Sequence, residues 1–278
     1  MFPLSSSRLS APVRIVLISL LVIGVYFLQD NFGRWPYFYF RPDIALGWPR
    51  LVTRAFLYYG IWTVLVPILV AFLVAGPRRW ASAIGLDGSA WTAAKVGVIA
   101  TAILPLAYGF IAPLSSDDII YEIIRGAILP GIGEEILFRG MVFGLLFRFA
   151  GWGFLPAALL GATIFGIGHF YQGNSVLEFL GIFGITAIAA VWWSWMYIEW
   201  DNNIWVPAGL HILMNGYFAI FDVADGTLGS WSFFAIRAVV VLITIGLTIL
   251  HARKRGHFLI TRHNILWRGS RAETVEPA

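Results

Sequence analysis

The chain contains no cysteine. Disulfides, thiolate nucleophiles and thiolate metal ligands are therefore excluded, and chemistry is left to serine, aspartate, glutamate and histidine. Charge is scarce too: 12% of the 278 residues are Asp, Glu, Lys or Arg, against about 25% in soluble domains. No internal repeat, low-complexity linker, Asn-x-Ser/Thr sequon or nucleic-acid-binding motif occurs. The net charge of +4 is spread over loops and the final segment, which suits a membrane surface better than a nucleic acid. His-Glu-x-x-His is missing as well, so the helix of ordinary soluble zinc proteases is not here.

What the chain has is apolar sequence, 59% of it. Eight runs, 13–28, 51–75, 91–114, 119–149, 153–170, 175–199, 203–221 and 231–251, approach or exceed the roughly 20 residues that carry a helix across a bilayer. The expected fold is all-α, a polytopic transmembrane helix bundle of about eight helices over residues 1–252, followed by a basic cytoplasmic tail at 253–278. The first run resembles a signal-peptide core, but Gln29-Asp30-Asn31-Phe32 follows in place of a small-residue cleavage site, so it reads as an uncleaved helix. The 31–50 stretch, with Trp35, Pro36, Tyr37, Tyr39, Pro42, Trp48 and Pro49, suits a loop resting at the interface. The tryptophans as a whole, with Trp192, Trp193 and Trp195 in the sixth run, read most simply as an interfacial belt. An even number of spans puts both termini on one side, and the excess of Arg and Lys there makes that side cytoplasmic, in what is expected to be a bacterial plasma membrane.

Against this background Gly131-Ile132-Gly133-Glu134-Glu135-Ile136-Leu137-Phe138-Arg139-Gly140 puts two carboxylates and a guanidinium in a segment fit for lipid. Each such charge costs roughly 2.5–3.5 kcal/mol on insertion scales. On a helix Glu135 and Arg139 share a face and can pair, while Glu134 points about 100° away. A cluster that only ties helices together would account for this much. Other groups ill-suited to lipid lie further along: His169, and His211 with Asn215 four residues on, one face of one helix. Gly140-x-x-x-Gly144 permits close helix packing. Glu178, Glu199, Asp201, Asp222 and Asp225 fall near span ends and read as solvated; His251, His257 and His263 likewise lie at or beyond a span end and make a poor ligand set beside a flexible basic tail.

Peptide hydrolysis without a serine or cysteine nucleophile needs a water held by a base, donors for the tetrahedral oxyanion and a proton for the leaving amine. Glu134 can be base and then acid, His169 can orient the water, and His211 and Asn215 can donate to the oxyanion. Glu134, His169 and His211 could instead hold a divalent metal, with zinc suiting the donor types, and leave a position open for water.

Glu134-Glu135-x-x-x-Arg139, Phe165-x-x-x-His169 and His211-x-x-x-Asn215, in that order on successive apolar segments within 119–221, resemble the three motifs of the CAAX-protease and bacteriocin-processing (CPBP, or Abi) intramembrane protease family. The resemblance implies an eight-helix endopeptidase acting on peptide or protein substrates at the membrane, such as prenylated CAAX proteins or leader peptides. It implies that Glu134 and His169 activate water, that His211 and Asn215 stabilise the oxyanion or join a metal site, and that Glu135 with Arg139 supports them. Two other classes remain open: a non-catalytic scaffold or immunity-type protein that keeps the polar cluster for binding, and a proton-coupled transporter, which the lack of repeat halves disfavours.

Overall fold

A computed structural model describes residues 3–33, 44–115, 117–169, 173–223, 231–269 and 272–274. Trp35, Pro36, Tyr37, Tyr39 and Pro42 of the aromatic stretch, with Phe170 and Asp225, lie outside the described residues. Among those described the chain is all-α, with nine helices and no strand: α1 (Ala11–Leu28), α2 (Trp48–Ala75), α3 (Trp80–Ala83), α4 (Ala90–Ile111), α5 (119–148), α6 (Phe154–Ile167), α7 (Val176–Glu199), α8 (Trp205–Ile220) and α9 (Trp231–Arg255). The ninth, beyond the eight expected, is the single turn α3. Five segments are long and apolar enough to cross a membrane: Ala11–Phe32, Trp48–Ala75, Ala90–Ile111, Val176–Glu199 and Ser232–Arg255. The chain is an integral membrane protein.

It divides into two compact units, Met1–Gly88 with Gly133–Gly161 and Ile260–Ala278, and Ser89–Ile132 with Ala162–Leu259. In the first unit α1 buries Arg14, Ile18, Val22 and Tyr26, a stripe of four-residue steps that is one helix face. Its other faces leave Val16, Leu20 and Phe27 exposed, as lipid contact demands. The 133–148 part of α5 is buried almost throughout. Phe143 stacks on Phe147 with centroids 5.6 Å apart, and Phe154 meets Phe143 edge-on. In the second unit α4 turns Ala93, Val96, Ala100, Leu104 and Tyr108 into a core shared with Trp193, Met196 and Trp200 of α7 and Val206 and Leu210 of α8. Trp193 and Trp200 are thus core residues, not members of an interfacial belt.

Helix ends follow local chemistry. Ser89 accepts from the Thr92 amide and Asp118 from the Tyr121 amide. Ser175 accepts from the Glu178 amide while the Glu178 carboxylate takes the Asn174 amide, a reciprocal cap of the Ser-x-x-Glu kind.

The segment from residue 260 onward, expected to be a flexible tail, folds back within the first unit. The Phe154 and Leu155 amides, which open α6 and have no partner inside it, donate to the carbonyls of Asn264 and Ile265 at 2.9 and 2.8 Å. The Arg268 and Gly269 amides donate to Gly151. A side chain at Gly153 would place its Cβ 2.0 Å from the Leu266 carbonyl carbon, so only glycine fits there. Arg148, 5% exposed, closes the arrangement by pairing with Glu273 and donating to the carbonyls of Ser82 and Ala83.

Candidate active site

The acidic motif lies on α5, continuous over 119–148 but not a uniform α-helix. Wider turns of the π type occupy Ile124–Ile128 and Glu135–Leu145, a departure frequent at functional sites. Pro130 is accommodated between them. In a regular α-helix the Gly126 carbonyl would accept from residue 130, which as proline has no N–H. Asn215 on α8 donates its Nδ2 to that carbonyl at 3.0 Å. The proline therefore leaves an acceptor, and the carboxamide fills it, within the second unit.

The two glycines before the acidic pair permit close packing. A Cβ on Gly131 would lie 2.5 Å from Ile212 Cγ1 and 3.1 Å from the Ile212 amide, next to His211. One on Gly133 would lie 2.3 Å from Thr63 Oγ1 and 2.6 Å from Tyr59 Cδ1, in the first unit. Gly140 meets Ile84 in the same way, with its Cβ position 3.1 Å from the side chain.

Glu135 is fully buried and Arg139 is 1% exposed. Arg139 Nη1 donates to Glu135 Oε1 at 3.1 Å, the pairing that four-residue spacing predicts. Glu134 is half-buried and makes no hydrogen bond or ion pair among the described residues. Two adjacent carboxylates are thus differentiated: one is spent on the guanidinium inside the protein, the other is presented.

His169 lies just past the end of α6, not in a span running to residue 170. Gly166 and Gly168 disfavour a further helical turn, and the His169 amide bonds back to the Gly166 carbonyl. Its Nδ1 meets the Phe165 carbonyl at 2.7 Å and its ring lies against Phe165 at 4.4 Å. A carbonyl only accepts, so Nδ1 carries the hydrogen and the lone pair of the neutral ring is on Nε2. The Phe165-x-x-x-His169 spacing is therefore a ring support and a tautomer lock. His211, 6% exposed on α8, packs its ring on Trp193 of α7 at 4.7 Å. Trp193 and the Gly126 carbonyl are the neighbours that the sequence did not single out; the glycine four residues before a proline was the available signal.

Glu134, Glu135 and Arg139 belong to the first unit, and His169, His211 and Asn215 to the second. Neither unit by itself gathers three His, Asp or Glu side chains able to hold a metal ion among the described residues. Glu199, expected to be solvated, is fully buried and paired with Arg255, and its carboxylate also takes the Leu259 amide. This cluster, with Asp201 and His251, closes the end of α9.

Apolar spans and a half-buried carboxylate beside a buried ion pair define a membrane-embedded all-α protein with ionisable groups held inside. Residues 116–217 match the family model described as Type II CAAX prenyl endopeptidase Rce1-like, a family of proteases, and all three motifs fall inside the matched segment. No curated protein and no solved structure matches the chain.

Proposed function

We propose that this protein is an intramembrane endopeptidase of the CAAX type, hydrolysing a peptide bond with a water activated by Glu134 and His169. The observation that carries this reading is the contrast at the acidic pair, with Glu135 buried on Arg139 and Glu134 presented. A packing cluster needs no second, unpaired carboxylate.

In the proposed reaction Glu134 takes a proton from water as the oxygen attacks the scissile carbonyl carbon. The tetrahedral intermediate collapses when the same carboxyl passes that proton to the leaving amine. His169, with its hydrogen on Nδ1, accepts a hydrogen bond from the water at Nε2. The neutral His211 ring donates one N–H to the oxyanion. Asn215 has a second amide hydrogen beyond the one given to Gly126, and that hydrogen joins His211. The carboxylate of Glu134 and the imidazoles of His169 and His211 are also a donor set suited to zinc, which when bound would polarise the same water. The substrates are peptides or proteins at the membrane, lipidated or carrying a leader.

Purified protein in detergent with a prenylated CAAX peptide and, separately, a leader-type peptide tests the reading. Wild type is expected to release a defined fragment, and Glu134→Gln and His169→Ala to slow release at least a hundredfold with helicity retained. Equal cleavage by both variants would overturn it. Substrate retention or protection by Glu134→Gln at wild-type levels, without any cleavage by wild type, would instead favour a binding protein.

A further inference from the structure

Arg237 lies in α9, five residues into the apolar segment Ser232–Arg255, within the second unit. It is half-buried and makes no hydrogen bond or ion pair among the described residues. α4, against which α9 packs, and α8 contain no aspartate or glutamate. A lone guanidinium at this depth is costly unless it reaches outward to the headgroups. This one is turned toward α8 instead: it lies over the ring of Phe218, 4.7 Å from the centroid. An aromatic face attracts the cation without taking a conventional hydrogen bond from it, so the N–H donors of Arg237 remain for an anion.

The position of Phe218 says which anion. His211, Asn215 and Phe218 follow one another on α8 at steps of four and three residues, so they form a single stripe, with His211 and Phe218 within about 20° of each other around the axis. Along that axis Phe218 stands roughly 4.5 Å beyond Asn215 and roughly 10 Å beyond His211. Extended chain advances about 3.3 Å per residue. A peptide that runs along the stripe with its scissile carbonyl at His211 therefore brings a group about three residues further on to the guanidinium. The one negative group that a peptide of any sequence can place there is its own carboxyl end, whose two oxygens match a pair of parallel N–H donors.

We infer that Arg237 binds the free α-carboxylate of the substrate, with Phe218 holding the guanidinium in place. The inference rests on the endopeptidase reading and sharpens it: the site selects a peptide that ends near its cut over a leader, whose cut is followed by the rest of the chain. A lipid phosphate carries the same sign of charge, but the contact with Phe218 keeps Arg237 on the stripe of α8 that bears His211 and Asn215.

The test uses full-length protein in detergent and two fluorescent forms of one prenylated CAAX peptide, ending in a free carboxylate or in a carboxamide. Cleavage is read as kcat/KM, and binding by anisotropy in proteins that also carry Glu134→Gln. With Arg237 present the acid is expected to be preferred at least tenfold in both measurements. Arg237→Met should prefer it less than twofold, and Arg237→Lys should keep part of the preference; should Arg237→Met fail to fold, Arg237→Gln is read in its place. A residue that only packs helices would lower both peptides alike and leave their ratio untouched. Equal handling of acid and amide with Arg237 present, or an undiminished preference in the variant, would overturn the inference. Binding of phosphatidylglycerol over phosphatidylcholine that depends on Arg237, without any difference between the peptides, would assign the guanidinium to a headgroup and overturn it as well. If the acid is bound more tightly through Arg237 but neither peptide is cut, the carboxylate site stands and the endopeptidase reading falls.

Discussion

Arg148 and Glu273, 125 residues apart in sequence, are joined by two parallel hydrogen bonds, Nε to Oε1 at 2.9 Å and Nη2 to Oε2 at 3.1 Å. Such a two-pronged contact fixes orientation as well as distance. It fastens the segment beyond residue 260 to the end of α5, and the stability of that attachment depends on one carboxylate.

Burial alone would raise the pKa of Glu273, but the Arg148 hydrogen bonds and the charges of Arg148, Arg268 and Arg79 outweigh it and hold the group below the usual carboxylate range. A depressed folded-state pKa lends stability that is complete above the unfolded value, about 4.3, and is lost as pH falls through the lower folded value. Hydrogen exchange at the Phe154 and Leu155 amides, corrected for intrinsic rates, should show the same protection at pH 8 and pH 5, with loss only below about pH 4. Glu273→Gln should lower protection throughout. Wild-type protection already lost between pH 7 and 5 would contradict this account.

The two neighbouring glutamates should separate by experiment. Removing Glu135 takes away the carboxylate that hydrogen-bonds the buried Arg139, and breaking a buried pair costs about 3–5 kcal/mol. Glu135→Ala should therefore lower the unfolding midpoint in detergent markedly, whereas Glu134→Ala should lower it far less. Equal destabilisation by the two would mean that Glu134 is a packing residue.

Gly133→Ala should destabilise by about 1–3 kcal/mol, the usual cost of overpacking. Thr63 Oγ1 is held by its hydrogen bond to the Tyr59 carbonyl and cannot turn aside without losing it. Thr63→Ala should restore part of the loss in the double variant. Gly24→Ala, where a Cβ meets nothing within 4 Å, should be neutral or stabilising by about 0.5–1 kcal/mol. Denaturation curves of the four proteins decide the matter.

Arg14, 7% exposed in α1, has a buried Nε with no hydrogen-bond partner and makes no ion pair among the described residues. Methionine has a similar reach and no charge. Arg14→Met should raise stability by about 1–4 kcal/mol, as replacing buried ions by apolar groups does elsewhere. A lowered midpoint would show that the guanidinium earns its place.

Much of this architecture could be read along the chain, because apolar run length and four-residue spacing are local properties. The eight apolar runs each became a helix, and Glu135 found Arg139 one turn away. Features set by distant partners were not legible. Glu199 looked like a solvated residue at a span end because Arg255, which pairs with it, lies 56 positions on. Trp193 looked interfacial because nothing local says that His211 packs on it. The wide turns of α5 have no periodic signature, and only Pro130 hinted that the Gly126 carbonyl would need a donor from elsewhere.

The start of α6 has a consequence for biogenesis. The acceptors for its first amides, Asn264 and Ile265, leave the ribosome about a hundred residues later than Phe154 and Leu155. Until then that helix end stays open to water or a chaperone, so translation order alone makes this region among the last to close. A nascent chain stalled before residue 264 should be recognisable to quality control at that spot.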